Sequence, residues 1–333
     1  MQFLYPFLLI ASLAVILFAA ELFTNAVEWL GKKMNLSHGA TGSILAAVGT
    51  ALPETTIPII ALMAGSSESA EVAIGAIAGA PFMLSTLAMF VTGSAVYYYA
   101  SKGRRSKKLH LDIAVKERDL AFFIVIYGVA VLATFVPGHS IRVAIALCLV
   151  FSYSVYMYIT LRHEGHSDGE LDDLHLSRLF RTRVRRRFIA IQLIFSLGLI
   201  VVGAHYFVVA VEQVSKMIGI STMLLSLIIT PVATELPEKM NSVLWIRQKK
   251  DTLALGNITG AMVFQSSFPV AVGVAFTHWD LKGPTMVSAI IALLSATMLY
   301  VVLKVKKTLP VQVLLLCGGF YAAFIIYLIE IYH

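Results

Sequence analysis

Charge is scarce in this chain. Asp, Glu, Lys and Arg make up only 14% of its 333 residues, 58% are hydrophobic, and mean hydropathy is +0.82. A soluble domain needs more polar surface than that, so a water-soluble fold is excluded. Cysteine is nearly absent. Cys148 and Cys317 both lie in apolar runs, which excludes a disulfide framework or a thiolate zinc centre. Catalytic signatures are also missing. Neither H-E-x-x-H nor G-x-S-x-G occurs, so an intramembrane enzyme has no constellation to work with.

Long apolar runs are what the chain has instead. A run of about 20 residues spans a bilayer as a helix. Ten such spans are expected, at 3–30, 39–64, 70–100, 117–136, 140–161, 188–214, 220–246, 252–276, 284–303 and 309–331. The first and sixth are expected to continue as amphipathic extensions. No basic residue precedes the first run, and it has no clear small-residue cleavage site. It therefore reads as a span rather than a signal peptide. The expected fold is an all-α polytopic membrane protein whose partner is the lipid bilayer.

The positive charges test this count. With the N-terminus outside, 22 of the 26 Lys and Arg residues fall in inward-facing segments, as the positive-inside rule requires. Only Arg142, Lys216, Lys239 and Lys282 fall elsewhere. The net charge of +7 is thus a topological signal and no sign of nucleic-acid binding. Both termini are expected outside, and the central loop at 162–187 in the cytosol. That loop has an acidic, His-containing half and an Arg-rich half. It reads as a solvated linker with an anionic-lipid anchor, or as a cation sensor. Short loops point to a prokaryotic cytoplasmic membrane.

The two ends of the chain repeat each other. At an offset of 184, Ala26-Val27-Glu28 meets Ala210-Val211-Glu212, Thr50 meets Thr234, and Leu52-Pro53-Glu54 meets Leu236-Pro237-Glu238. Further on, "AIGAIAGA" (73–80) meets "ALGNITGA" (254–261) at an offset of 181. Matching spans are five apart, an odd number, so they cross the membrane in opposite senses. The expectation is two inverted five-helix repeats, 1–161 and 188–333. That is a transporter architecture with its site at the midplane between the repeats.

The repeated motif carries chemistry. A proline inside a helix frees the carbonyl four residues back, here that of Gly49 or Ala233. In lipid, free carbonyls persist only where they line a polar cavity. Carbonyls beside carboxylates suit a hard cation such as Ca²⁺, and intramembrane carboxylates are functional candidates. Glu54 and Glu238 therefore read as paired cation ligands, or as helix caps or paired charges. Gly75, Gly79, Gly256 and Gly260 read first as close-packing positions. Glu28 and Glu212 sit near span ends and read as interfacial or capping residues. Glu21 is deeper and its repeat partner is His205, either a proton-relay pair or a satisfied structural histidine.

These residues resemble the sodium/calcium exchanger family, also called the cation/calcium antiporter superfamily. Its repeats each carry a G-T-S-L-P-E-like motif, followed by a G-N-x-x-G-S-N-like motif. Here the first reads "GTALPE" (49–54) and "ATELPE" (233–238), and the second "GAIAGAP" (75–81) and "GNITGAM" (256–262). The resemblance implies that Glu54 and Glu238 bind Ca²⁺. It also implies that the backbone carbonyls of Thr50 and Thr234 help, and that Asn257 matches a site asparagine whose counterpart here is Ala76. No cofactor is implied beyond the transported Ca²⁺ and its counter-ion. The departures are Ala51, Glu235, Ala80 and Ala261 at four hydroxyl positions, with Leu84 and Gln265 at two further polar positions.

A multi-ion Na⁺ site needs those oxygens. Glu235 adds a third carboxylate instead, and clustered carboxylates favour a proton as counter-ion. Lys239 lies four residues after Glu235, a spacing that allows a helical ion pair. It reads as a tethered ammonium on Glu235 or as a lysine snorkelling to a vestibule. The leading expectation is an antiporter exchanging Ca²⁺ for H⁺, with ion-binding residues Glu54, Glu238, Thr50, Thr234, Glu235, Asn257 and Gln265. Alternatives are a Na⁺/Ca²⁺ exchanger, a Mg²⁺ or Mn²⁺ transporter on the same fold, and a non-transporting membrane sensor.

Overall fold

The computed structural model describes residues 4–33, 52–163, 173–179 and 184–332, and every regular element among them is helical. In chain order these are α1 (Leu4–Lys33), α2 (Leu52–Ala64) and α3 (Ser67–Met83). A π turn (Leu84–Ala88) carries α3 into α4 (Met89–Ser101). Then come α5 (Ile113–Leu132), α6 (His139–His163), the short α7 (His175–Leu179) and α8 (Arg186–Ile218). The last six are α9 (Thr222–Thr234), α10 (Leu236–Arg247), α11 (Asp251–Gln265), α12 (Phe268–Phe276), α13 (Pro284–Lys306) and α14 (Val311–Tyr332).

Among the described residues, eight segments are long and apolar enough to cross a bilayer: 4–27, 67–101, 113–135, 139–160, 186–218, 251–276, 284–306 and 311–331. Two shorter apolar helices, Pro53–Ala64 and Thr222–Val232, fall at the second and seventh expected spans. The protein is an integral membrane protein. The expected extensions of the first and sixth spans are continuous helix, to Lys33 and Ile218.

The second expected span is described only from residue 52, and two others differ in detail. The seventh is two helices, because the chain turns at Glu235 between α9 and α10. The eighth is interrupted at Ser266 and Ser267, which was not expected. Both serine hydroxyls turn back onto the Val263 carbonyl, at 3.0 and 2.7 Å. Pro269 then stands second in α12, with no N–H to offer upstream.

The helices pair across the chain. α1 packs antiparallel on α8, with Gly203 against Ser12 and Ile16, and Gln192 bonded to Leu22 and Asn25. α4 packs antiparallel on α14, with Gly93 against Leu314 and Gly318 against Phe90. α5 packs on α13, and α6 on α12. α3 runs parallel to α9. There Ser226 Oγ donates to the Val72 carbonyl at 2.8 Å. A methyl group on Gly75 would lie 2.4 Å from the Met223 carbonyl oxygen, and one on Gly79 2.3 Å from that of Leu227. Only glycine lets these backbones touch, so the packing reading holds for both.

The central loop is partly docked. Asn25 Oδ1 accepts from the His175 N–H at 3.1 Å, and Gln192 Oε1 from the Leu176 N–H at 2.8 Å. Gln192 Nε2 also donates to Asn25 Oδ1 at 3.0 Å. The two buried amides thus cap the first turn of α7, where backbone N–H groups have no intrahelical acceptor. The first part of the loop, which includes most of its acidic residues, lies outside the described residues.

Candidate cation site

Leu-Pro-Glu lies in α2 and again in α10. Pro237 is the second residue of α10, where a missing N–H costs nothing. Glu238 follows in the first turn, near the positive end of the helix dipole. Pro53 and Glu54 stand at the head of the described part of α2. Glu54 and Glu238 are buried, 4% and 0% exposed. Glu54 lies within electrostatic reach of Glu238 and Glu235, and beside Thr234. The Thr234 hydroxyl donates to the Thr230 carbonyl at 2.9 Å. Among the described residues no donor satisfies either oxygen of Glu54. A dry carboxylate in that condition is costly unless something positive joins it.

α11 closes the site from the other side. Asn257 Nδ2 donates to the Glu238 carbonyl at 3.2 Å. Ser242 Oγ donates to the Ala254 carbonyl at 3.0 Å, so α10 and α11 are pinned together along the motif. Gln265 ends α11 at the break. It is fully buried, and neither of its amide atoms has a partner among the described residues. Thr50 lies outside the described residues.

Glu235 is engaged differently from Glu54 and Glu238. Its Oε2 lies 2.9 Å from Lys239 Nζ, which also reaches the Pro231 carbonyl at 3.4 Å. Lys239 is 6% exposed, so the snorkelling alternative is corrected: the ammonium turns inward. Among the described residues no three Asp, Glu, His or Cys side chains converge as a ready-made metal cluster. The third carboxylate is turned to the lysine instead.

The Glu21 and His205 pairing is also corrected. Antiparallel packing sets Glu21 near the Gln192 level of α8, while His205 lies near Ser12 of α1. Both side chains are exposed, and Glu21 approaches His175 at 3.8 Å instead. Glu212 accepts from Ser69 Oγ at 2.8 Å, near the start of α3, whose N-cap is Ser66. The side chain of Glu28 lies outside the described residues.

A second buried charge cluster went unread in the sequence. Asp119 Oδ2 accepts from Thr259 Oγ1 at 2.7 Å and from Lys116 Nζ at 3.1 Å, while Asp119 Oδ1 accepts from Tyr156 Oη at 2.9 Å. Lys116 and Asp119 are both buried. The cluster ties α5 and α6 to α11 at Thr259, two residues after Asn257. Asp119 fell inside the expected fourth span, so an intramembrane carboxylate was the available signal. Nearby, Arg105 holds Asp251 through two bonds, 2.7 and 2.9 Å.

Broken helices, buried carboxylates and small-residue crossings together define a polytopic cation transporter. The chain matches the family model described as "Sodium/calcium exchanger protein" over residues 4–162 and 188–330. It belongs to that family, whose members are transporters of inorganic cations rather than enzymes. It is 22% identical over 296 residues to the uncharacterized membrane protein MJ0091 of Methanocaldococcus jannaschii, covering 89% of each chain. Its fold is similar to that of the H⁺/Ca²⁺ exchanger CAX, with a TM-score of 0.76, 18% identity, and coverage of 98% of this chain and 82% of that one. It is also similar to the sodium-calcium exchanger NCX_Mj, with a TM-score of 0.62, 19% identity, and coverage of 98% and 99%.

Proposed function

We propose that this protein is an alternating-access antiporter exchanging a divalent cation, Ca²⁺ first, for protons. The observation that carries the reading is the burial of Glu54 and Glu238 on two short helices, within electrostatic reach of each other. Two carboxylates balance one divalent ion or two protons, so occupancy alternates at constant charge. The Thr234 carbonyl, at the α9–α10 junction, adds an oxygen of the kind Ca²⁺ takes, and the family resemblance gives Thr50 the same role. Ala76, Ala80 and Ala261 line the flanking helices and are buried. A hydroxyl-poor site of this kind supports protons over Na⁺.

The antiparallel pairing of α1 with α8 supports two inverted halves, 1–161 and 188–333, and so does the parallel run of α3 and α9. The distribution of Lys and Arg supports outside termini and a cytosolic central loop. The similarity to NCX_Mj keeps Na⁺ as the second reading of the counter-ion. Flux in proteoliposomes tests both. An imposed pH gradient is expected to drive Ca²⁺ uptake without Na⁺; uptake that follows only a Na⁺ gradient overturns the proton coupling. Competition by Mg²⁺ and Mn²⁺ in the same assay identifies the divalent ion.

A further inference from the structure

We infer that Lys239 is a built-in counter-cation of the transport site: its ammonium fills the place of one monovalent ion and fixes the site's capacity at two positive charges. This rests on the antiporter reading above and deepens it.

The geometry is that of a bound cation. Lys239 Nζ sits against a carboxylate oxygen at 2.9 Å and a main-chain carbonyl at 3.4 Å, both at the α9–α10 junction. Carboxylate and junction carbonyl are the ligands a hard monovalent ion would take there. The lysine is held in place at its own base, because Lys239 N–H donates to the Glu235 carbonyl at 3.1 Å. Side chain and backbone thus close one helical turn around the pair. Both partners are buried, so water cannot substitute for the ammonium. An unpaired Glu235 would be a strongly unfavourable charge.

Charge counting then sets the capacity. Glu54, Glu235 and Glu238 bring three negative charges when a divalent ion is bound, and Lys239 brings one positive. The remainder is two, which one divalent cation neutralises. The neighbouring cluster is separate: Asp119 lies between Lys116 at 3.1 Å and Arg118 at 3.5 Å, and among the described residues neither cation pairs with one of the three glutamates. The first copy of the motif has Ala51 and Thr55 at the matching positions, so the added carboxylate and the added ammonium occur together, in one copy only. Without Lys239, the site would hold one more monovalent ion with each Ca²⁺.

The test is ion coupling in proteoliposomes containing the full chain, read from the H⁺ gradient at which Ca²⁺ flux reverses, with K⁺ and Na⁺ varied in turn. Lys239→Gln is expected to move three protons against each Ca²⁺ instead of two and to make flux depend on a monovalent cation carried with the Ca²⁺. The double variant Glu235→Gln/Lys239→Gln restores the count and is expected to return the wild-type stoichiometry. An unchanged stoichiometry in Lys239→Gln overturns the inference. If that variant does not fold, Glu235→Gln decides: it leaves Lys239 uncompensated beside the site, so Ca²⁺ flux is expected to fall about tenfold or more and to return in the double variant, and wild-type flux in Glu235→Gln overturns the inference. Failure of the antiporter reading itself is distinct, because the wild type would then carry no Ca²⁺ flux at all.

Discussion

The two Leu-Pro-Glu copies share a proline followed by a buried glutamate, yet their surroundings differ. The Glu54 carboxylate lies beside Thr234 of the other copy. Glu238 has Asn257 on its main-chain carbonyl and is flanked in sequence by the Glu235–Lys239 pair. The helices that follow differ too. α3 passes into α4 through a π turn at Leu84–Ala88, whereas α11 stops at Ser266 and restarts at Phe268. A π turn adds a residue to a turn and keeps the helix continuous; a break surrenders the hydrogen bonds and turns the serines inward. The helix that follows the motif is thus deformed in one half and interrupted in the other.

Removing the shared element should produce the largest effect. Glu54→Gln and Glu238→Gln are each expected to lower Ca²⁺ flux by about 100-fold or more, as loss of one partner from a buried charge pair costs about 3 kcal/mol. Similar loss in both would show that the copies are equal as ligands. Retention in either would break the comparison at its root.

Next is the cluster beside the second copy. Asp119→Asn leaves the buried Lys116 ammonium without its carboxylate and is expected to cost about 3–5 kcal/mol, read as a fall in thermal midpoint of the detergent-solubilised protein. Replacing both Lys116 and Asp119 by apolar residues should recover much of that loss.

The glycines grade the halves against each other. Gly75→Ala drives a methyl group into the Met223 backbone and is expected to destabilise by about 1–3 kcal/mol. Gly256→Ala meets Lys116 Nζ at 2.9 Å, the far end of a flexible chain, so its cost should be smaller in the same melting assay. Smallest of all, Asn257→Ala removes one hydrogen bond to the Glu238 carbonyl. It should weaken apparent Ca²⁺ affinity by about 5-fold, equivalent to about 1 kcal/mol.

Much of this was legible in the sequence, for physical reasons. Apolar length marks helices in lipid, and proline marks where they yield, so the span order and the turn before Glu238 could be read directly. The break at Ser266 and Ser267 could not, because serine tolerates helix and turn alike; Pro269 was its only herald. The spacing of Glu235 and Lys239 allowed both an inward pair and a lysine reaching for water, and only burial decides between them. Asp119 was passed over because it adjoins Lys116, Glu117 and Arg118, and a charge run at a helix start reads as solvated. Glu21 and His205 were paired by repeat position, but antiparallel packing of α1 on α8 separates positions that the offset aligns.

The pairing of early with late helices also has a consequence for synthesis. α1, α3, α4, α5 and α6 each find a principal partner among helices translated after the central loop. A nascent chain that has reached Leu179 therefore holds Asn25, Gly75 and Gly93 in the membrane before Gln192, Met223 and Leu314 exist to meet them. The first five hydrophobic segments must wait in the bilayer, or beside an insertion chaperone, until their counterparts emerge. A chain released at the loop should be cleared by membrane proteases rather than accumulate as half a transporter.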